Sequence, residues 1–130
     1  SGAAAVEFAL VFPMLVVLVF GIIDFGLLVN ANVITANATR DAARTASLGG
    51  TEAEIRSQAT AGLSSLSARD AANVTVTVTC AKTAATCTLY TQTTSGDTAI
   101  VRISVVHQWL FPLWPLPSVT VVKTNQMRIE

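Results

Sequence analysis

The chain of 130 residues is long enough for one compact domain with an appended helix and too short for two full domains. Its eight basic and eight acidic residues cancel, without the clustered Lys and Arg of an electrostatic nucleic-acid footprint, so no nucleic-acid binding is expected. Two cysteines are too few for a disulfide-dense miniprotein and wrongly arranged for a zinc site, and the 52% apolar content is concentrated at the start of the chain.

That start is Ser-Gly-Ala-Ala-Ala-Val-Glu-Phe, then apolar residues almost without relief to Val29, with only Glu7 and Asp24 charged. Phe8–Val29 meets the length for spanning a bilayer, about 20 residues. The run is too long for the apolar part of a signal peptide, and no basic segment precedes it. No Lys or Arg occurs before Arg40, although a span normally carries orienting positive charge on its cytoplasmic side. A short basic leader ahead of Ser1 is therefore expected. An ionisable group inside such a run is costly unless partnered, which makes both carboxylates functional candidates. The plainer readings put Glu7 near the membrane surface and Asp24 at the outer interface. Pro13 removes the helical donor for the Ala9 carbonyl. It is read either as a tolerated kink or as a place where the helix bends when its environment changes.

After Asn30 the pattern becomes amphipathic. Val33, Ile34, Ala38, Ala42, Thr45 and Ala46 share a stripe at helical spacing, with Arg40, Asp41 and Arg44 beside or opposite it. Gly49-Gly50 supplies the stop. A single helix from about Ala3 to Leu48 is predicted, roughly 65–70 Å long, more than twice a hydrocarbon core. Residues 1–29 are its membrane or filament-core half. Residues 30–130 form an exported α+β domain that includes its aqueous half.

Thr51-x-x-Glu54 is a capping box for a second helix, with Ile55, Ala59, Leu63 and Leu66 on its apolar face and an end near Ser67. From Asn73 the period changes to two, and Val74, Val76, Val78 and Cys80 alternate with threonines, as a half-buried strand requires. A short strand is expected at Thr86–Thr91. The turn Ser95-Gly96-Asp97 leads into a strand Ala99–His107, with Val101, Ile103 and Val105 inward, and Val119–Met127 is the last strand. The predicted fold is α+β: a long apolar N-terminal helix, packed with a second helix on an antiparallel sheet.

Trp109-Leu-Phe-Pro-Leu-Trp-Pro-Leu-Pro117 separates the last two strands. Its prolines exclude a helix or a central strand. The run is either a plug folded over the core or an apolar surface, presented through Trp109, Phe111 and Trp114, for another subunit or a lipid interface. Cys80 and Cys87 bracket a small loop and are expected to form a disulfide in an exported domain, worth about 2.5 kcal/mol by chain-entropy arithmetic. His107 reads as structural. No nucleophile–base pair, phosphate loop or paired-carboxylate motif is present, so neither an enzyme nor a cofactor is expected.

Gly2-Ala-Ala-Ala-Val-Glu7-Phe8-Ala-Leu, Pro13 and Gly21-Ile-Ile-Asp-Phe-Gly26 together resemble the N-terminus of TadE-like proteins, pilin-related proteins of the tight-adherence branch of type IV pili. The resemblance continues through Asn37–Arg44 and into the tail Asn125–Glu130, and so spans most of the chain. It implies a prepilin, cut by a membrane-embedded prepilin peptidase after a glycine. The mature protein is held in the bacterial cytoplasmic membrane until the pilus assembly machinery draws it into an extracellular helical filament of like subunits. Gly2 would be the cleavage glycine. Glu7, beside Phe8, would neutralise a neighbour's N-terminal amine, provided that processing occurs there and not before Ser1. Asp24 is expected to pair with Arg40 or Arg44 of a staggered subunit. Because tight-adherence major pilins are typically little more than the helix, a minor pilin that primes or caps another protein's fibre is the alternative. A membrane-anchored binding module that never polymerises is the remaining one.

Overall fold

The computed structural model describes residues 2–82, 90–111 and 116–130. The apolar and amphipathic runs form one helix, α1 (Gly2–Ser47), which continues through Pro13. Its 46 residues extend roughly 69 Å. The Gly49-Gly50 stop works as a paired C-cap. Gly49 N–H bonds the Ala46 carbonyl at 3.1 Å and Gly50 N–H bonds Thr45 at 3.0 Å. Gly49 adopts φ 78°, which only glycine accepts readily.

Helix α2 (Glu52–Gly62) starts at the predicted capping box. The Thr51 hydroxyl accepts from Glu54 N–H at 3.3 Å, and the Glu54 carboxylate accepts from Thr51 N–H at 2.7 Å. That second bond holds the Glu54 carboxyl below the usual carboxylate range. The helix stops at Gly62, five residues short of the end expected near Ser67. A turn follows, and Ser67 caps a one-turn helix, α3 (Ala68–Ala71), by accepting from Asp70 N–H at 3.3 Å. Serine hydroxyls compete for backbone bonds and favour such turns. Leu63 and Leu66 remain buried, so the apolar pattern was correct where the extent of the helix was not.

Strands β1 (Val74–Ala81), β2 (Thr98–His107) and β3 (Val119–Arg128) form an antiparallel meander in the order β1-β2-β3. Val78 pairs with Val101 in one ladder, and Val105 pairs with Val121 in the other. Val101, Ile103 and Val105 are fully buried, as their alternation predicted. No strand occupies the described end of the expected Thr86–Thr91 segment. Tyr90–Gln92 is a 3-10 turn instead, and residues 83–89 lie outside the described residues. The Tyr90 hydroxyl donates to Gly50 O at 2.7 Å and Ala46 O at 3.2 Å, which ties the chain here to the end of α1.

The aqueous half of α1 lies over β2 and β3, and α2 lies beside it over β1. Its buried stripe is Ala31, Thr35, Ala38, Thr39, Ala42, Ala43 and Ala46. The predicted stripe is thus corrected at Val33, which is 52% exposed, whereas Ile34 is half-buried and packs against the core, and Thr45 is half-buried. The reason is close approach. A Cβ on Gly62 would come within 2.8 Å of the Ala38 Cβ, so the two helices meet through their smallest residues. Thr35 and Thr39 join the stripe because their hydroxyls donate to the carbonyls of Ala31 and Thr35 at 2.7 and 2.6 Å. Neither threonine hydroxyl is then buried unpaired.

Candidate functional site

Most of the first half of α1 has no cover from the other described residues. Between residues 2 and 23 only Val16 and Phe20 are even half-buried. The helix holds an 18-residue window, none of it buried, that is long and apolar enough to cross a membrane. Glu7 and Phe8 lie on its exposed opening turns, together with Gly2. The Phe8 ring sits 5.4 Å from that of Phe12, one turn on. Glu7 has no hydrogen-bond or ion-pair partner among the described residues.

The uncovered surface ends at Asp24, which is only 6% exposed despite its place in an apolar run. Its partners come from the β2–β3 connection. Asp24 Oδ1 accepts from Leu110 N–H at 2.8 Å and Oδ2 accepts from Phe111 N–H at 3.2 Å. One turn toward the N-terminus, Phe20 stacks on Phe111 with ring centroids 3.9 Å apart. A small apolar cavity of about 190 Å³ is lined by Val17, Phe20 and Gly21 of α1 and by Trp109, Phe111 and Leu116 of the connection. The described part of the connection thus folds back over the apolar half of α1. Phe111 and Leu116 keep 40% and 57% of their surface exposed. Trp114 lies outside the described residues.

The root of the connection is held separately. Asp70 and His107 are both 1% exposed, and Asp70 accepts from His107 Nδ1 at 2.9 Å and from Gln108 N–H at 3.1 Å. A carboxylate only accepts, so Nδ1 carries the proton. His107 Nε2 is buried without a hydrogen-bond partner among the described residues, and Trp109 meets the ring edge-on at 5.3 Å. Arg69 donates to the carbonyls of Trp109 and Leu110 at 3.2 and 3.3 Å. Trp109 Nε1 donates to Pro117 O at 3.1 Å, across the mouth of the connection. Sequence reasoning missed Arg69 and Asp70. Ser67-x-x-Asp70 does carry a cap signature, but nothing local says that the capped turn will face the end of β2.

Arg40 and Arg44 are exposed on the aqueous half of α1 and make no ion pair among the described residues. Along the helix they stand roughly 24 and 30 Å from Asp24, out of reach within one chain. Cys80 is buried at the end of β1, while Cys87 lies outside the described residues. No metal-competent cluster of His, Cys, Asp or Glu occurs among the described residues.

An uncovered apolar half-helix, continuous with the spine of a small α+β domain, is the arrangement on which the family comparison falls. Residues 2–44 match the TadE-like protein family. The TadE-like match covers Gly2, Glu7, Phe8, Pro13, Asp24, Arg40 and Arg44, and it ends inside α1. It is narrower than the resemblance read from the sequence, since the tail Asn125–Glu130 lies beyond it. No curated protein and no solved structure matched the chain.

Proposed function

We propose that this chain is a structural subunit of a tight-adherence-like, type IV extracellular filament, assembled through α1. The observation that carries the reading is the division of that one helix. Its first half is apolar and uncovered, and its second half is the packed spine of the domain. An uncovered apolar surface of this size needs an apolar environment. The cytoplasmic membrane supplies it before assembly, and the bundled helices of other subunits supply it in the fibre. Because a helix satisfies its own backbone, it moves between the two without exposing polar groups. The TadE-like match on the same helix supports this role.

In this reading a prepilin peptidase acts at Gly2, and Glu7, without a partner among the described residues, neutralises the N-terminal amine of a neighbouring subunit. Arg40 and Arg44 face outward for contacts in the fibre, and Trp109 and Phe111, with Trp114 of the same connection, are the proposed contacts to a neighbouring subunit. Asp24 is also the candidate partner for Arg40 or Arg44 of a staggered neighbour. Reversing Asp24 would also break its bonds to Leu110 and Phe111, so that pairing is better tested from the arginine side. A Cys80–Cys87 disulfide would stabilise the exported domain. No enzymatic role is proposed.

Electron microscopy of filaments sheared from cells, with N-terminal sequencing of their subunits, tests the proposal. The expected result is a fibre made mainly of this chain, lost in Glu7→Ala cells that still hold normal amounts of protein in the membrane. Glu7→Ala filaments indistinguishable from wild type would overturn it. The β-bearing domain favours a second reading, a minor subunit that primes or caps a fibre. Traces of this chain in fibres made of another protein would establish that reading instead.

A further inference from the structure

We propose that copies of this chain stand side by side in the membrane before assembly, the crevice between α1 and β3 of one copy receiving the Asp41 flank of the next. The inference rests on membrane residence, and it adds a contact between domains outside the bundled apolar helices.

The crevice is built on one line of α1. Phe25, Val29, Asn32, Ala36 and Arg40 recur at three- and four-residue steps and so share a face. Along that face β3 runs in the same direction, with residues 119–122 beside the lower part and 123–125 beside the upper. The lower part is a mainly apolar groove of about 400 Å³. Through the exposed Phe25 and Val29 it carries the apolar surface of α1 up into the domain. The upper part, about 140 Å³, is lined by Arg40, Lys123, Thr124 and Asn125 and by no acid.

That upper part has the chemistry of an anion site. Lys123 holds an inward place on β3, in the row that Val119 and Val121 also occupy. Neither Lys123 nor Arg40 has an acidic partner among the described residues. Two like charges lining one small cavity repel until a negative group joins them. A lipid phosphate does not reach it. Arg40 stands about 16 Å along α1 beyond Val29, whereas the headgroup region adds only about 5–8 Å to each side of the hydrocarbon core.

The chain supplies the anion itself, on another flank of the same helix. Ile23, Asn30, Asn37 and Asp41 form a second exposed row, and Asp41 lies about 100° around α1 from Arg40. The Asp41 carboxylate has no partner among the described residues. Both rows run in the same order: apolar side chains at 23–29, asparagine at 30–37, then charges of opposite sign at 40 and 41. Two copies anchored in one membrane stand at one depth, parallel and in register. Side by side, apolar then meets apolar, asparagine meets asparagine, and Asp41 meets Arg40 and Lys123. The rows lie on different sides of the helix, so the contact is head-to-tail and leaves a crevice and a flank open for further copies. The staggered pairing of Asp24 belongs to the fibre, whereas this in-register contact precedes it.

Cross-linking in vesicles tests the contact. Asn37 and Thr124 are exposed, the first on the Asp41 flank and the second at the rim of the crevice. Two differently tagged populations of the full chain, one Asn37→Cys and one Thr124→Cys, are mixed in vesicles of phosphatidylethanolamine and phosphatidylglycerol and treated with a short bis-maleimide. Chains with only the native cysteines set the background, and flotation first establishes that the chains are in the membrane. The proposal expects a cross-link between the populations well above that within either one. Reversing the crevice in the Thr124→Cys population, Arg40→Glu with Lys123→Glu, should lower the yield about fivefold. Asp41→Lys in the Asn37→Cys population should then restore it, which a misfolded crevice would not allow. Chains that float without the cross-link overturn the proposal and leave membrane residence intact. So does a yield that the reversal leaves unchanged, a loss that Asp41→Lys fails to restore, or a yield that either population matches alone, the mark of a symmetric contact. Chains that fail to float overturn both readings.

Discussion

The Asp24 carboxylate accepts the Leu110 backbone N–H at 2.8 Å, joining the apolar half of α1 to a segment 86 residues away. With the second bond, from Phe111 N–H, it satisfies two donors that would otherwise be left beside an apolar helix. Asp24→Ala should leave both unpaired and cost about 1–3 kcal/mol. Asp24→Asn keeps an acceptor oxygen and should cost less. Thermal unfolding in detergent would measure the loss, and a red shift in tryptophan emission would show that the segment has come away from Phe20.

Asp70 sits at the other end of the same segment and answers to three groups: His107, Gln108 N–H and, through Ser67, the first turn of α3. Removing it leaves the buried His107 ring with neither nitrogen bonded among the described residues. Asp70→Ala is therefore expected to destabilise by about 3 kcal/mol or more. Asp70→Asn retains an acceptor and should recover part of that. Denaturant titration of the two variants gives the comparison. Equal stability of Asp70→Ala and wild type would mean that the contact carries no weight.

The crossing of α1 and α2 depends on Gly62. A Cβ there would approach the Ala38 Cβ at 2.8 Å and its Cα at 3.0 Å, and neither atom belongs to a flexible side-chain end. Alanine favours a helix over glycine by about 1 kcal/mol, but overpacking a tight contact costs about 1–3 kcal/mol. The steric term should win. Gly62→Ala is expected to lower the melting temperature, and Gly62→Val to lower it further. Gly62→Ala together with Ala38→Gly should restore most of the loss, since the double variant moves one methyl across the same contact.

Tyr90 gives the pH dependence. Burial, aided by the negative charge of Glu54, raises its hydroxyl above the ordinary tyrosine range of about 10. The folded state therefore favours the protonated form. The stabilisation is fully present below the unfolded-state value and is lost as pH rises through the folded-state one. Stability should fall on the alkaline side, and Tyr90→Phe should flatten that fall at the cost of the bonds to Ala46 and Gly50. As Tyr90 is the only tyrosine, tyrosinate absorbance reads its titration directly.

Much of this molecule is legible locally. The stop at Gly49-Gly50, the capping box at Thr51 and Glu54, and the inward triplet Val101, Ile103 and Val105 each rest on bonds or periodicity within one element. So does the uncovered half of α1, because a run that is apolar on every side cannot be solvated comfortably whatever the rest of the chain does. The errors fall where one element meets another. Val33 was placed on the packed face because it is apolar. The packed face is instead built of alanines and threonines, since helix spacing rewards small size over bulk.

The sequence by itself determined that a single long helix would be half apolar and half amphipathic, that a small α+β domain would follow, and that Glu7 and Asp24 would stand out in the apolar half. Only the tertiary structure decided how those acids differ. Glu7 has no partner within the described chain, whereas Asp24 is bonded to Leu110 and Phe111 and backed by a Phe20–Phe111 stack. The difference is invisible in one dimension because a carboxylate's cost depends on the donors that reach it. Those donors come from backbone that the β2–β3 connection brings across the length of the chain.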